Sequence, residues 1–281
     1  MTSANGKYGV LEMTFERDSV GCSVLRHLHR EVPMIVQQAL YFDEQLPQLP
    51  CVYILSSGGP HLEGDIFRVE VELGEGSMAH ISTGAATIIA PMEQGCAKLQ
   101  QTISLDEGAY LEWLPLPIIP AARSRYISHT EFIVAPSATL FYSEVVACGR
   151  LHSGERFDYR ELWLGDVVCR PDGEVVSRGG VRLAPAENSP SRWAFLGDST
   201  HFGSIVVVTT PQTTERLASL LQPRVEPDFR LSVATLRGNN GLSLRLLGNS
   251  SERLLREIRA ICSLVREEVK GVPLQREFPW R

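Results

Sequence analysis

Apolar and polar residues alternate along much of this chain. In IFRVEVEL (66–73), Phe67, Val69, Val71 and Leu73 point one way and Arg68, Glu70 and Glu72 the other. That is the pattern of a strand with one buried face. RYISHTEFIV (125–134) and FGSIVVVTT (202–210) are rich in β-branched and aromatic residues and read as strands; GLSLRLLG (241–248) alternates again. The period changes late. Thr210-Pro211 has the form of a cap followed by proline at the first helical position, so a short helix is expected through TTERLASLL, ending by Pro223. A longer helix is expected over 249–269, with Asn249 as cap and Glu252 three residues on, as in a capping box. Leu254, Ile258, Ile261 and Val265 form its apolar stripe, and Gly271 and Pro273 stop it. AENSPSR (186–192) reads as a mobile loop.

A weak echo runs through the middle. LGEGSMAHI starts at 73, LDEGAYLEW at 105 and VAPSATLFY at 134. Each is an apolar residue, a tight turn, a small residue and a new strand. The spacing of about 30 residues suits stacked β units, whereas hairpins of an ordinary sandwich turn every 8–12 residues or so. The expected fold is mainly β, with stacked, β-solenoid-like sheets and two α-helices in the C-terminal third. No linker interrupts it, so residues 1–281 are read as a single domain.

Composition narrows the function classes. The chain has 281 residues, 43% of them hydrophobic, enough for a sizeable core without staples. Its 33 acidic and 27 basic residues give a net charge of −6, and no basic run interleaves with aromatics, which argues against nucleic acid as partner. The six cysteines show no CxxC spacing. The N-terminus lacks an apolar signal segment, and no stretch approaches 18 uninterrupted apolar residues. A cytoplasmic protein, with reduced thiols and no membrane partner, is expected.

The candidate chemistry is thin. SSGGPHLEGD (56–65) places Gly59 and Gly64 at the glycine spacing of a phosphate-binding loop, but Asp65 and Ile66 stand where that loop needs Lys and Ser or Thr, and a strand follows instead of a helix. A tight turn is the better reading. Between 143 and 161 crowd Glu144, Arg150, Glu155, Arg156, Asp158 and Arg160. They form either a buried or interface network of guanidinium forks on carboxylates, or a solvated hairpin tip. His27 and His29 share a strand face flanked by Arg26 and Arg30, a poor setting for a cation, and His61, His80 and His152 are read as structural. There is no GxSxG and no HExxH. Glu112 and Glu144, on neighbouring strands of the echo, could serve as the paired carboxylates of a β-solenoid carbohydrate-active enzyme, guide a metal ion, or hold structure. LEWLPLPIIP (111–120) is apolar and proline-rich; it either crosses the surface as a partner site or folds inward as core. A surface site would make the isolated protein depend on its partner for solubility.

Several of these motifs together resemble the urease accessory proteins called UreD (UreH in some bacteria). GGPHLEGD resembles the family's GGLVGGD loop, STGAAT (82–87) its TTQAAT, LEWLP (111–115) its LEWLP, and GRLHSGERFD (149–158) its GR-x-x-SGE-x-F. The opening VLRHLHREVPMIVQQALYFD and the close ending in PWR are similar as well. The loop is one residue longer here and carries Pro60, His61 and Glu63. Gly84 replaces the usual Gln, and IIAP (88–91) replaces KVYR. The resemblance implies a non-enzymatic scaffold that assists nickel insertion into apo-urease with UreF-like and UreG-like partners. It also implies no tightly bound cofactor, only transient nickel. Asp65, Glu112 and Glu144 are the residues expected on a polar nickel route. Gly59, Gly64, Thr83, Arg150, Gly154, Glu155, Phe157 and Asp158 are expected to hold the fold or a partner surface, and no resident metal site is assigned.

Overall fold

A computed structural model describes residues 6–192 and 195–275. The PWR ending (279–281) lies outside the described residues. The chain begins with β1 (Tyr8–Arg17), β2 (Ser23–Glu31), β3 (Met34–Ile35), β4 (Cys51–Ser56), β5 (Ile66–Leu73) and β6 (Met78–Thr83). It continues through β7 (Thr87–Ile89), β8 (Ala97–Leu105), β9 (Tyr110–Leu114), β10 (Ile118–Pro120), β11 (Arg125–Val134) and β12 (Thr139–Ala147). Then come β13 (Glu161–Cys169), β14 (Val175–Leu183), β15 (His201–Val208), α1 (Pro211–Leu220), β16 (Arg224–Glu226), β17 (Phe229–Thr235), β18 (Gly241–Gly248) and α2 (Ser251–Lys270).

The middle of the chain coils. β5, β8, β11 and β13 pair in parallel in one sheet, and β4, β6, β9 and β12 in parallel in the other. The chain alternates between the sheets, so each coil lays one strand on each. The first sheet runs β14-β13-β11-β8-β5-β1-β2; the second runs β16-β17-β18-β15-β12-β9-β6-β4-β3. This is a β-solenoid-like stack closed at both ends by antiparallel strands. The sequence echo marks its corners. The three turns that carry the chain from first sheet to second repeat one hydrogen bond: Ser77 N to Gly74 O, Ala109 N to Asp106 O, and Ala138 N to Ala135 O, each 3.0–3.1 Å. They also bond to one another, Gly76 N to Glu107 O at 2.8 Å and Gly108 N to Ser137 Oγ at 2.8 Å. Gly76 and Gly108 adopt φ of +62° and +69°, where a side chain would be strained.

One face of each strand fills the space between the sheets with Leu11, Phe15, Val69, Val71, Ile103, Phe132 and their neighbours. Both helices cover the outer face of the second sheet. The expected stripe Leu254, Ile258, Ile261 and Val265 is buried there against Phe141, Val145, Ile205 and Leu244. Thr210 caps α1 as expected, its side chain accepting from Thr213 N. The cap of α2 differs by one residue. Ser250 caps it by accepting from Arg253 N, and Asn249 instead accepts from Thr200 N at 3.1 Å. Two polar residues in a row compete for the cap, and the bond tying Asn249 to β15's approach decides between them. The shift removes Glu252 from the capping-box position. Gly271 ends α2 with φ +75°.

The helix face also carries a charge. Arg266 of α2 is fully buried, with Nε on Glu112 Oε1 at 2.6 Å, Nη2 on Glu112 Oε2 at 2.7 Å, and Nη1 on Asp43. Glu112 further accepts from Tyr110 Oη at 2.5 Å and His80 Nδ1 at 2.7 Å. Burial alone would raise the Glu112 pKa; the bonds from Arg266 and His80 outweigh it and hold the group at about 2. Its folded-state pKa lies below its ordinary value of 4.5, so its contribution to stability is complete above pH 4.5 and lost as pH falls through about 2. Arg266→Ala leaves two buried carboxylates without their cation and is expected to cost about 3–5 kcal/mol in urea-unfolding free energy at pH 7. It should also flatten the loss of stability on acidification that the parent shows.

Candidate functional site

The three acids expected on one route are separated by the fold. Asp65 is buried beneath its loop, its two oxygens accepting Lys7 N and Leu62 N at 2.8 Å each, with Lys7 Nζ at 3.2 Å. Lys7 Nζ also ties down Gly58 O and Pro60 O, at 3.0 and 3.1 Å. Asp65 therefore holds the 56–65 turn, in which Gly59 and Gly64 take φ of +67° and +85°. Glu63 likewise accepts Glu93 N, Gln94 N and Gly95 N. Glu112 belongs to the helix clamp.

Glu112 and Glu144 do not form a pair. In the parallel register of β9 and β12, Glu112 lies beside Phe141, three residues before Glu144. An odd offset puts the two side chains on opposite faces of the sheet. Glu112 faces α2 and Glu144 faces the space between the sheets. The pairing of Glu112 with Glu144 expected of a carbohydrate-active site is therefore not formed.

The 143–161 cluster also divides. Glu144 leaves it for the interior. Arg150 forks onto Glu155, Glu155 Oε2 accepts Ala122 N at 2.9 Å, and Asp158 Oδ2 accepts Arg156 N at 2.9 Å. These contacts shape a crossover between the sheets, not a hairpin tip, with Gly154 at φ +77° and Phe157 at φ +58° in its bends. Thr83 Oγ1 accepts Leu116 N at 2.9 Å and steadies the 111–120 stretch. That stretch is mostly interior: Trp113 and Leu114 are buried in opposite cores, while Leu116, Ile118 and Ile119 are half-buried. His27 and His29 lie on an exposed face of β2 beside Glu12 and Glu31.

What the fold does bring together lies between the sheets. A cavity of about 390 Å³ enters beneath the 56–61 and 83–88 loops and runs inward past His61, Gln101, Ser128 and Tyr142 to Glu144. A second, of about 580 Å³, enters from the side of β14 and β16 and reaches Asp166 and the same Glu144. Glu144 thus lines both cavities. A polar row crosses the first sheet's inner face here. Gln101, Thr130 and Asp166 are register neighbours on β8, β11 and β13, and Gln101 Nε2 donates to Thr130 Oγ1 at 2.8 Å. On the facing sheet, Glu144, Ser204 and Arg245 are register neighbours on β12, β15 and β18.

The titratable groups that line these cavities are poorly compensated. Burial raises Glu144 to about 7; the Tyr142 hydroxyl opposes the shift, Asp166 adds to it, and Arg245 opposes it. Burial also raises Asp166, against the charge of Arg245 and the Gly179 amide. His61 packs on Phe67 at 4.2 Å between ring centres, and burial lowers it to about 4. His61 Nδ1 and Asp166 Oδ2 are buried without a hydrogen-bond partner. Asp166 and His61 escaped the sequence reading as route residues. Nothing local distinguishes Asp166, in LWLGDVV, from a solvated strand residue; only its inward parity beside Thr130 does so.

Fold and site together define a class: a coiled two-sheet β protein with two largely apolar cavities that share a buried glutamate. A sequence profile described as UreD urease accessory protein matches residues 7–281. "Urease accessory protein UreD 2" of Brucella suis is 36% identical over 283 residues, spanning 99% of this chain and 93% of the relative. "Urease accessory protein UreD 3" of Methylorubrum populi is 37% identical over 284 residues, spanning 99% and 91%. The chain belongs to the UreD urease accessory protein family. No described helix is long and apolar enough to cross a membrane.

The raised Glu144 gives a pH signature. The folded state keeps this proton up to about pH 7, while the unfolded chain releases it near 4.5, so stability falls between those values. Glu144→Gln removes that loss. Because the cavity admits water to the group, the expected gain at pH 8 is only about 1 kcal/mol, or roughly 2–4 °C in Tm, with no gain at pH 4.5. Thermal melts at the two pH values measure it.

Proposed function

We propose that this chain is a urease-maturation scaffold in the cytoplasm that passes Ni²⁺ toward apo-urease, working with UreF-like and UreG-like partners. Nickel is its cargo, not a resident cofactor. The observation that carries this reading is the place of Glu144 in the linings of both cavities, with His61 in one and Asp166 in the other. Imidazole and carboxylate suit Ni²⁺, and ligands offered singly along a passage permit release, where a thiolate cage would retain the ion. Glu144 holds a proton near neutrality, and an arriving cation would displace it. Of the three acids first expected on a route, Glu144 alone keeps that role; Asp65 and Glu112 serve the turn and the helix clamp.

Co-expression with urease and the other accessory proteins tests the proposal. The double variant Glu144→Gln, Asp166→Asn should lower the nickel content of urease about tenfold while still co-purifying with its partners. His61→Ala is expected to act in the same direction but less strongly. Undiminished nickel loading in the double variant would remove the passage from the mechanism. Undiminished loading after deletion of this protein would remove the scaffold reading altogether.

A further inference from the structure

The outer part of the second cavity differs from its acidic depth. Arg224, Arg230 and Arg245 stand along it, in a chain whose net charge is −6. Arg224 is paired with Glu226 and Glu257. Arg245 donates to Ser204 Oγ at 2.7 Å and lends its charge inward to Glu144 and Asp166. Among the described residues, neither Arg230 nor Arg245 forms an ion pair within salt-bridge distance. Two large apolar side chains open to solvent, Phe195 at 51% and Val225 at 82% exposure, also line the cavity.

The cleft is also bordered by open backbone. Among the described residues β14 pairs only with β13 and β16 only with β17, so each ends its sheet. Gly180, Val181 and Leu183 of the edge strand β14 line the cavity. A free edge accepts an extended segment through main-chain hydrogen bonds, and alternate side chains then enter the flanking pockets. We infer that this cleft docks an extended, acidic segment of a partner protein, with a bulky apolar residue seated against Phe195 and Val225 and carboxylates on Arg230 and Arg245. At the rim the Arg230 guanidinium, without a carboxylate partner among the described residues, selects negative charge with Arg245 behind it, and the apolar side chains select the anchor. In a scaffold working as proposed above, the docked segment would cover the outer end of the passage. The inference itself needs only the cleft.

Selection from phage-displayed random dodecapeptides against the whole chain tests it without reference to nickel. The enriched peptides should carry at least two Asp or Glu around a Phe, Leu or Ile. A synthetic copy should lose affinity about tenfold on raising salt from roughly 0.1 to 0.5 M, consistent with a shorter screening length. Arg230→Glu, at an exposed position, should keep the parent circular-dichroism spectrum, weaken the acidic peptide at least tenfold, and favour its Lys-substituted counterpart. Hydrogen exchange should slow in β14 when peptide is bound. The inference is overturned by enrichment of basic or uncharged peptides, by no enrichment, by equal binding to Arg230→Glu, or by protection elsewhere than at this cleft. Loss of nickel transfer in Glu144→Gln, Asp166→Asn with peptide binding intact would separate this cleft from the passage behind it.

Discussion

The architecture turns on one buried cation. Glu112 projects from the centre of the second sheet onto its outer face, where burial of a lone carboxylate would be prohibitive. Its partner, Arg266, arrives from 154 residues later, and the same guanidinium takes Asp43 from 223 residues earlier. Three distant parts of the chain are thereby held at one point. The clamp fixes α2 in rotation and height, since a fork on two oxygens tolerates neither a slide nor a turn. With α2 fixed, its apolar stripe closes the second sheet on one side and leaves the other free to face the interior. Such a network adds little net stability over an apolar equivalent, but it penalises every misplacement of the helix.

Side-chain parity then decides what each acid does. Two glutamates on adjacent parallel strands, three register positions apart, fall on opposite sides of one sheet. One is neutralised by a guanidinium fork and becomes structural. The other meets only a tyrosine hydroxyl, a second carboxyl and the field of an arginine, and stays poised near neutral pH. Among the described residues, the poised group is the one that links the polar rows of the interior to the linings of both cavities. The same parity puts Gln101, Thr130 and Asp166 in a row across the facing sheet, so polar side chains face one another from both sheets within an otherwise apolar interior.

Much of the fold was legible from local pattern. Alternation identified the strands, the 30-residue echo identified the coils, and a Thr-Pro start and a Gly stop bounded the helices. These signals survive in sequence because they depend on neighbours within a few residues or on stacking of equivalent turns. The cap of α2 slipped by one residue because Asn249 is drawn to Thr200 N, a partner 49 residues away. The motifs GGPHLEGD and GRLHSGERFD led to the right family, yet most of their polar groups hold turns. Lys7 consumes Asp65, and Arg150 consumes Glu155.

By itself, then, the sequence determined the β class, the repeating coil, the two late helices and the UreD family. It could not determine which acids are spent and which remain available. That depends on whether a strand residue faces α2 or the opposing sheet, and on which cation, if any, arrives from a distant segment. Glu112, Glu144 and Asp166 look alike in the chain. Only the tertiary structure gave the first a guanidinium and two further donors and left the other two lining a cavity, because the desolvation and pairing that set their charge come from residues far away in sequence.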